Sequence, residues 1–376
     1  MKTLERYFAV EILRSVLFVL AAFLAIFAFF DLIGELQSVG RGGYRLQQAF
    51  LYVLLGLPGY VYELMPIAVL IGTIYTLAQF AARSEFTIMR MASMSTGMAA
   101  RMLFKIGILF VLLTVLFGEL ISPAVSGFAE RMKLRAQGLP VAQEFRSGLW
   151  AKDVVRQQGL TGAVIGSRFI NVRDARPGGV LAGVKVYEFD LDFHLQRIIT
   201  AQRAQYLGAN QWQLAEVVQT SFAGAGPERL VSSVSTVQQP TQQLASDITP
   251  SILAVLFADP DRMSALDLAA YARHLAENNQ SNERYQIAFW KKVVYPFAVF
   301  VMMALALPFA YLHFRAGGVS LKIFTGIMIG VGFQLVNSLF SHLGLLNTWP
   351  PALTALLPSV LFLLAALGAL WWVERH

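Results

Sequence analysis

The chain has 376 residues, 56% of them hydrophobic and 14% charged, with a mean hydropathy of +0.56. A soluble domain of this size has too little interior to hide so much apolar surface, so lipid must be the solvent for much of it. The net charge of +7 reads first as a topology signal. The lack of cysteine excludes disulfides, thiol redox chemistry and Cys-type metal sites, and five scattered histidines give no metal-ligand spacing.

The N-terminus, MKTLERYFAVEILRSVLF, has no small-residue cleavage site after its apolar run and reads as a retained first span. A bilayer core needs about 20 apolar residues in helix, and six segments qualify. The first three lie at about 7–36, 51–80 (with breaks expected at Pro58 and Pro66) and 102–121, the third ending at Pro123. The other three lie at about 287–311, 323–340 and 352–373.

Between spans three and four lies a polar insert, roughly 126–280. RFINV, VKVYEFDLD, WQLAEVVQTSF and RLVSSVSTV alternate with the period of strands, and ARPGG and GAN punctuate them. Strands without helical periods between them predict an all-β, jelly-roll-like or sandwich domain. The insert closes in a helix, because Ser264 opens S-A-L-D, a capping-box spacing, before LAAYARHLAE. The expected organisation is therefore spans one to three over 1–125, the β-domain over 126–262, connecting helices over 263–286 and spans four to six over 287–376.

Cations orient the chain. Lys2, Arg6 and Arg14 flank span one, while Arg83, Arg90, Arg101 and Lys105 surround the loop between spans two and three. Arg315 and Lys322 bracket the loop between four and five, and Arg375 follows span six. All fall on one side of an alternately threaded chain. The loop after span one has only Arg41 and Arg45, and 341–349 has neither Lys nor Arg. The positive-inside rule puts both termini in the cytoplasm and the insert across the membrane.

No G-x-x-x-x-G-K-[ST], H-E-x-x-H or G-x-S-x-G occurs, so neither a P-loop nor those hydrolytic sites are expected. Asp31, Glu35, Glu63 and Glu119 lie toward the outer ends of spans one to three. They read either as rim groups facing water and headgroups or as a proton relay. The apolar midplane stretches FVLLTVLF and LFLLAALGAL weigh against the relay.

The stretch 79–95, QFAARSEFTIMRMASMS, interrupts two of the most apolar runs. Ser84 can cap a short helix over about 83–95, and Glu85 sits in its first turn, where the helix dipole favours an anion. Met89, Met91, Met94, Met98 and Met102 offer an adaptable contact surface. Two readings stay open: Glu85 pairs locally with Arg83 or Arg90 while the methionines touch lipid, or the segment receives a partner.

Three groups of residues carry a family resemblance: ELMPIAVLIGTIYTLAQFAARSEFTIMRMASMS in and after span two, GLWAKD with RFINV and GVKVYEFD in the insert, and RYQIAFWKKVVYP leading into span four. Together with the six-span layout they resemble the lipopolysaccharide export permeases of Gram-negative bacteria, the LptF/LptG family, nearer its LptG branch. The resemblance implies an inner-membrane, non-catalytic subunit with a periplasmic jelly-roll. An LptF-type permease would pair with it, an LptB-type ATPase dimer would hold the ATP and Mg, and an LptC-type jelly-roll protein would bridge the periplasm. The cargo would be lipopolysaccharide, extracted from the membrane; no cofactor on this chain and no nucleic acid is implied.

The resemblance makes 83–95 the ATPase-coupling helix. Glu85 would meet a cation of the ATPase, Phe86, Ile88, Met89 and Met91 would fill its groove, and Arg83, Ser84 and Arg90 would complete the surface. It also implies a lipid cavity built from spans one and five. Span one supplies Phe23, Phe27, Phe29 and Phe30; span five, GIMIGVGFQLVNSLF, supplies Ile327, Phe333 and Asn337, with Gly326, Gly330 and Gly332 permitting close helix approach. Plain helix packing is the competing reading for each. The family places lysines near the outer end of span one. Here Asp31 and Glu35 stand there, with cations only at Arg41 and Arg45. Arg284, Lys291 and Lys292, on the outer flank of span four, either snorkel to headgroups or contact phosphate.

Readings from other classes are a permease that actuates a periplasmic partner without moving lipid, a lipid-modifying membrane enzyme, and a ligand sensor. The enzyme lacks convergent catalytic groups and the sensor lacks a cytoplasmic output domain.

Overall fold

The computed structural model describes residues 2–91, 94–137, 149–159, 161–176, 179–223, 233–255, 260–278, 280–311, 319–346 and 349–375. Among the described residues six helical segments are long and apolar enough to cross a membrane. Span one is α1 (Lys2–Leu36) and span two is α2 (Leu46–Ala82). A short α3 (Glu85–Met91) precedes span three, which runs through α4 (Thr96–Val115), a π-helical turn (Leu116–Ile121) and α5 (Ser122–Ala136). Six strands follow: β1 (Leu149–Gln158), β2 (Thr161–Arg176), β3 (Val180–Asp190), β4 (Leu195–Gly208), β5 (Gln211–Ala223) and β6 (Ser233–Ala245). The chain returns through α6 (Pro250–Val255) and α7 (Ala265–Glu277). Span four comprises α8 (Glu283–Val294) and α9 (Ala298–Ala306), and α10 (Val319–Leu346) and α11 (Pro351–Arg375) are spans five and six.

Spans two and four form the inner pair. In each, 78% of the most apolar stretch is buried, against 11% in span one. Span one lies along α2 through Phe8, Ile12, Val16 and Leu20, a four-residue spacing that keeps one face turned inward. At the crossing a Cβ on Gly72 would come within 2.7 Å of the Val16 backbone, so only glycine fits. Thr76 beside it donates to Ser15 Oγ at 2.8 Å. Span five meets the same helix: Gly326 packs on Ile74 and Gly330 on Ile67, as their spacing predicts. Gly332 has open space instead.

The prolines do not break the chain where the sequence suggests. Span two is one continuous helix with Pro58 and Pro66 inside it, and the helix of span three runs on past Pro123. Proline removes a backbone donor and strands carbonyls one turn back, which lipid cannot satisfy. Span four supplies donors beside Pro66 and Pro123. The Tyr295 hydroxyl donates to the Glu63 carbonyl, three residues before Pro66. The π-helical turn shifts the bonding to i→i−5, as in Ser122 N–H to the Phe117 oxygen. In that register Pro123 would have bonded Gly118; Lys292 Nζ donates to the Gly118 carbonyl instead, at 3.0 Å.

The insert carries the expected β-domain between α5 and α6. Its described strands form one antiparallel meander in the order β1-β2-β3-β4-β5-β6, with β1 and β6 at the edges. Alternate residues such as Ile170, Val172, Val184, Val186, Ile199 and Leu214 pack a core on one face, and α6 covers it with Ile252 and Leu253. The sheet is rolled closed at one end, where Ser246 Oγ, just after β6, donates to Asp153 Oδ2 of β1 at 2.6 Å. A ladder of alternating charge crosses four strands there. Asp153, Arg168, Glu188 and Arg197 are successive register partners, with ion-pair distances of 3.5, 2.7 and 2.7 Å. Arg168 Nη1 also donates to the Ala245 carbonyl at 2.7 Å.

Candidate functional site

Two surfaces gather the residues singled out from the sequence. The first surrounds α3, at the membrane face opposite the β-domain. Ser84 adopts a left-handed backbone, φ +57°, which turns the chain between α2 and α3. Its carbonyl accepts the Ile88 N–H at 3.0 Å and starts the helix. Phe86 points inward: it is 2% exposed and sits edge-on to Tyr311, at the end of span four, with ring centroids 5.1 Å apart. Tyr311 in turn donates to Thr96 Oγ1, at the start of span three, at 2.9 Å. Met89 packs partly against the same core, Met94 is buried in it, and Met102 is buried as well.

The opposite side of α3 is free. Ser84, Thr87, Ile88 and Met91 recur at helical spacing and are exposed, Ile88 at 59% and Met91 at 76%. Glu85 stands at the border. Its carboxylate accepts the Tyr7 hydroxyl of α1 at 3.1 Å, and Arg83 approaches at 3.9 Å. The Arg90 side chain lies outside the described residues, as does Arg315. The expectation that Phe86 fills a partner's groove is corrected: its ring is committed to the bundle and fixes the attitude of α3. Tyr7, Tyr311 and Thr87 carry no local sequence signal, since two of them belong to the ends of other spans.

The second surface comprises spans one and five. Both lie against α2 and expose apolar faces: Phe27, Phe29, Phe30 and Ile33 on α1, and Phe324, Ile327, Met328, Val331 and Leu335 on α10. Phe27 is tilted on Tyr60 of α2, and Phe23 is partly buried against the bundle. Phe333 and Asn337 face inward instead. Phe333 meets Phe362 of span six edge-on at 5.2 Å, and Asn337 is 7% exposed. Both fall on the packing side of α10 with Gly326 and Gly330, at positions a helical wheel groups together.

Lys292 is also corrected. It is 6% exposed, bonded to Gly118 and set 4.7 Å from the Tyr62 ring centroid, so it neither snorkels nor meets a headgroup. Lys291 pairs with Asp261 at 3.6 Å. Arg41, Arg45 and Arg284 are exposed. The loop carrying Arg41 is pinned at Gly42 (φ +60°), where a Cβ would collide with the Gln137 carbonyl at the end of α5. Glu35 is neutralised by Lys133 of α5 at 2.9 Å. Lys133 lies over the Tyr52 ring, and the Tyr52 hydroxyl donates to Glu130 at 3.2 Å. Arg262, absent from the sequence-based candidates, lines a small cavity with Asp31, Tyr52, Tyr60 and Ser126.

Among the described residues no cluster of His, Asp and Glu could hold a metal ion. The family described as lipopolysaccharide export system permease LptF/LptG matches residues 6–374. The lipopolysaccharide export system permease protein LptG of Escherichia coli K12 is 28% identical over 368 residues, 98% of this chain and 97% of that protein. The LptG protein of Haemophilus influenzae is 27% identical over 372 residues, 99% of this chain and 98% of that one.

Proposed function

The chain belongs to the LptF/LptG family of lipopolysaccharide export permeases, and from that premise we propose how its two surfaces work. It is an LptG-type subunit of an ATP-driven exporter, a multi-pass inner-membrane protein and not itself an enzyme. ATP and Mg belong to a partner of the LptB type. That ATPase docks on the free side of α3, with Ile88 and Met91 in its groove and Glu85 against one of its cations. Both termini are cytoplasmic and the β-domain is periplasmic, in keeping with the cations at Lys2, Arg83, Arg101 and Arg375.

An LptF-type permease faces the exposed sides of spans one and five, and the lipid sits between the two subunits. Phe27, Phe30 and Ile327 meet its acyl chains, and Arg41, Arg45 and Arg284 meet its phosphates. Phe23 lines the inner margin. The β-domain hands the lipid to an LptC-type jelly-roll through an edge strand, β1 or β6.

The observation that carries this reading is the division of α3 into an anchored side, Phe86, and a free apolar stripe ending at Met91. A permease whose sequence holds no P-loop must take force by contact, and that stripe is a place to take it. The test is to purify the chain with its paired permease and ATPase. Lipopolysaccharide should copurify and leave on addition of ATP and Mg. A complex that hydrolyses ATP yet carries no lipid would favour an actuator that moves only a periplasmic partner.

A further inference from the structure

The π-helical turn of span three does more than accommodate Pro123. A Cβ on Gly118 would lie 2.3 Å from the Tyr62 ring, so α2 is seated in the notch that this turn opens. The next residue, Glu119, points out of the span toward the β-domain side. Its Oε2 accepts the backbone N–H of Ala265 at 2.7 Å. Ala265 is the first residue of α7, and Ser264 caps the same end by accepting the Asp267 N–H at 3.1 Å. A helix start has N–H groups without intrahelical partners, and one of them here is satisfied by a carboxylate 146 residues away. The other oxygen of Glu119 is buried and makes no hydrogen bond among the described residues.

Helix α7 joins this turn to the β-domain. Leu268, Tyr271 and Leu275 share a core with Ile252 of α6, and Ile252 also packs on the sheet's core. Near the far end of α7, His274 is buried and feels the charges of Asp153 and Asp247, beside the Asp153–Ser246 contact that closes the sheet. One short helix thus bonds to the irregular turn of span three at its start and reaches the core of the β-domain through Ile252 of α6.

We propose that Glu119 is a positioning residue for lipid transfer: through the Ala265 N–H it carries the movement of span three into α7, and α7 carries it to the closed end of the β-domain. The π-helical turn is suited to this because a change in its winding rotates residue 119 about the helix axis. The proposal rests on the transport reading and adds a route within it.

The test uses the complex with its paired permease and ATPase, reconstituted with lipopolysaccharide, and reads lipid delivered per ATP hydrolysed. Glu119→Leu removes the acceptor and should lower that ratio about tenfold or more, with ATP hydrolysis unchanged. Glu119→Gln keeps an oxygen at the same reach and should restore most of it. Should the Leu variant not assemble, Glu119→Asp serves: it keeps the charge, falls short by one methylene, and should lower the ratio too. A wild-type ratio in the Leu or Asp variant overturns the proposal, and so does a Gln variant no better than Leu. A wild-type complex that holds and delivers no lipid counts against the transport reading instead.

Discussion

Lys292 Nζ donates to the carbonyl oxygen of Gly118 at 3.0 Å, five residues before Pro123. Three residues further along span four, and on the same face, Tyr295 serves the Glu63 carbonyl beside Pro66. One face of one span therefore repairs proline-opened turns in two others. The carboxylates that act on Lys292 are Glu119, Asp261 and Glu63, so its charge is balanced at the rim. Lys292→Met should leave the Gly118 carbonyl without this donor and destabilise the protein by about 1–3 kcal/mol. Thermal unfolding in nanodiscs measures it; a melting temperature equal to wild type would deny the repair.

The same notch sets a steric prediction. Gly118→Ala places a methyl 2.3 Å from the Tyr62 ring, where no relaxed contact exists. The cost of overpacking is typically about 1–3 kcal/mol. The double change Gly118→Ala with Tyr62→Leu removes the ring that the methyl strikes. It should recover part of the stability lost by Gly118→Ala alone, relative to Tyr62→Leu by itself. A strictly additive pair would place the clash elsewhere.

At the other membrane face, Glu85 accepts the Tyr7 hydroxyl at 3.1 Å, and under the proposed function it also meets a cation of the ATPase. Losing one partner of a desolvated charge pair costs roughly 2–5 kcal/mol. Glu85→Ala should therefore weaken ATPase association by at least about tenfold, and Met91→Asp should do the same by charging the free stripe. Tyr7→Phe releases Glu85 without removing it and should leave association intact. Phe86→Ala should act differently, lowering the stability of the chain by about 3–5 kcal/mol because its ring is core. Pull-down of the ATPase beside a melting curve separates the two classes. Equal loss of binding in the Tyr7 variant would show that the bond, and not the carboxylate, matters.

These residues also show what could be read from the sequence. The six spans and the β insert were legible because hydropathy and strand alternation are local properties. The short helix between spans two and three was legible because Arg83, Ser84 and Glu85 interrupt an apolar run. Which of its apolar residues faces the bundle was not: Phe86 and Ile88 look equivalent until Tyr311, more than two hundred residues on, takes one of them. Pro66 and Pro123 read as breaks because their compensation comes from Tyr295 and Lys292 in another span. For the same reason Lys292 looked like a headgroup ligand. Phe333 and Asn337 looked like cavity residues because an apolar helix does not announce which side meets lipid and which meets protein.

The ionic ladder of the β-domain makes a stronger prediction than a surface pair would. Arg168 is 7% exposed and lies between Asp153 and Glu188, both buried. Arg168→Leu takes the cation from buried Asp153, leaves Glu188 with Arg197 alone and frees the Ala245 carbonyl. Breaking a buried pair typically costs about 3–5 kcal/mol. The rolled end of the sheet should open, and β6 should become accessible to limited proteolysis. Replacing Arg168, Asp153 and Glu188 together by apolar residues should be milder than the single change, because the ladder charge left over, Arg197, is about half-exposed while no buried carboxylate remains. A triple variant worse than Arg168→Leu would assign the ladder a role beyond charge balance.

Acid should loosen the same region through His274. Burial holds its imidazole below the usual range, against the opposing pull of Asp153, Asp247 and Glu277. The other groups beside it are the Tyr271 ring, stacked at 6.2 Å, and Asn278, whose amide donates to the His274 carbonyl. Neither carries charge near neutral pH. Above a pH of about 6.5 the histidine is neutral in both the folded and the unfolded chain, and it contributes no pH dependence. As pH falls below that value the unfolded chain takes up a proton that the folded site resists, so the unfolded state binds more protons and stability declines. The decline continues until pH passes the lower, folded value, with a slope of at most about 1.4 kcal/mol per pH unit for one group. His274→Gln keeps a polar side chain and removes the titration. Melting temperatures of both proteins should diverge between about pH 7 and 5, the wild type falling faster. Parallel curves would mean that α7 leaves its seat before His274 is protonated, and that the acid sensitivity of this end of the β-domain lies in Asp153 and its neighbours.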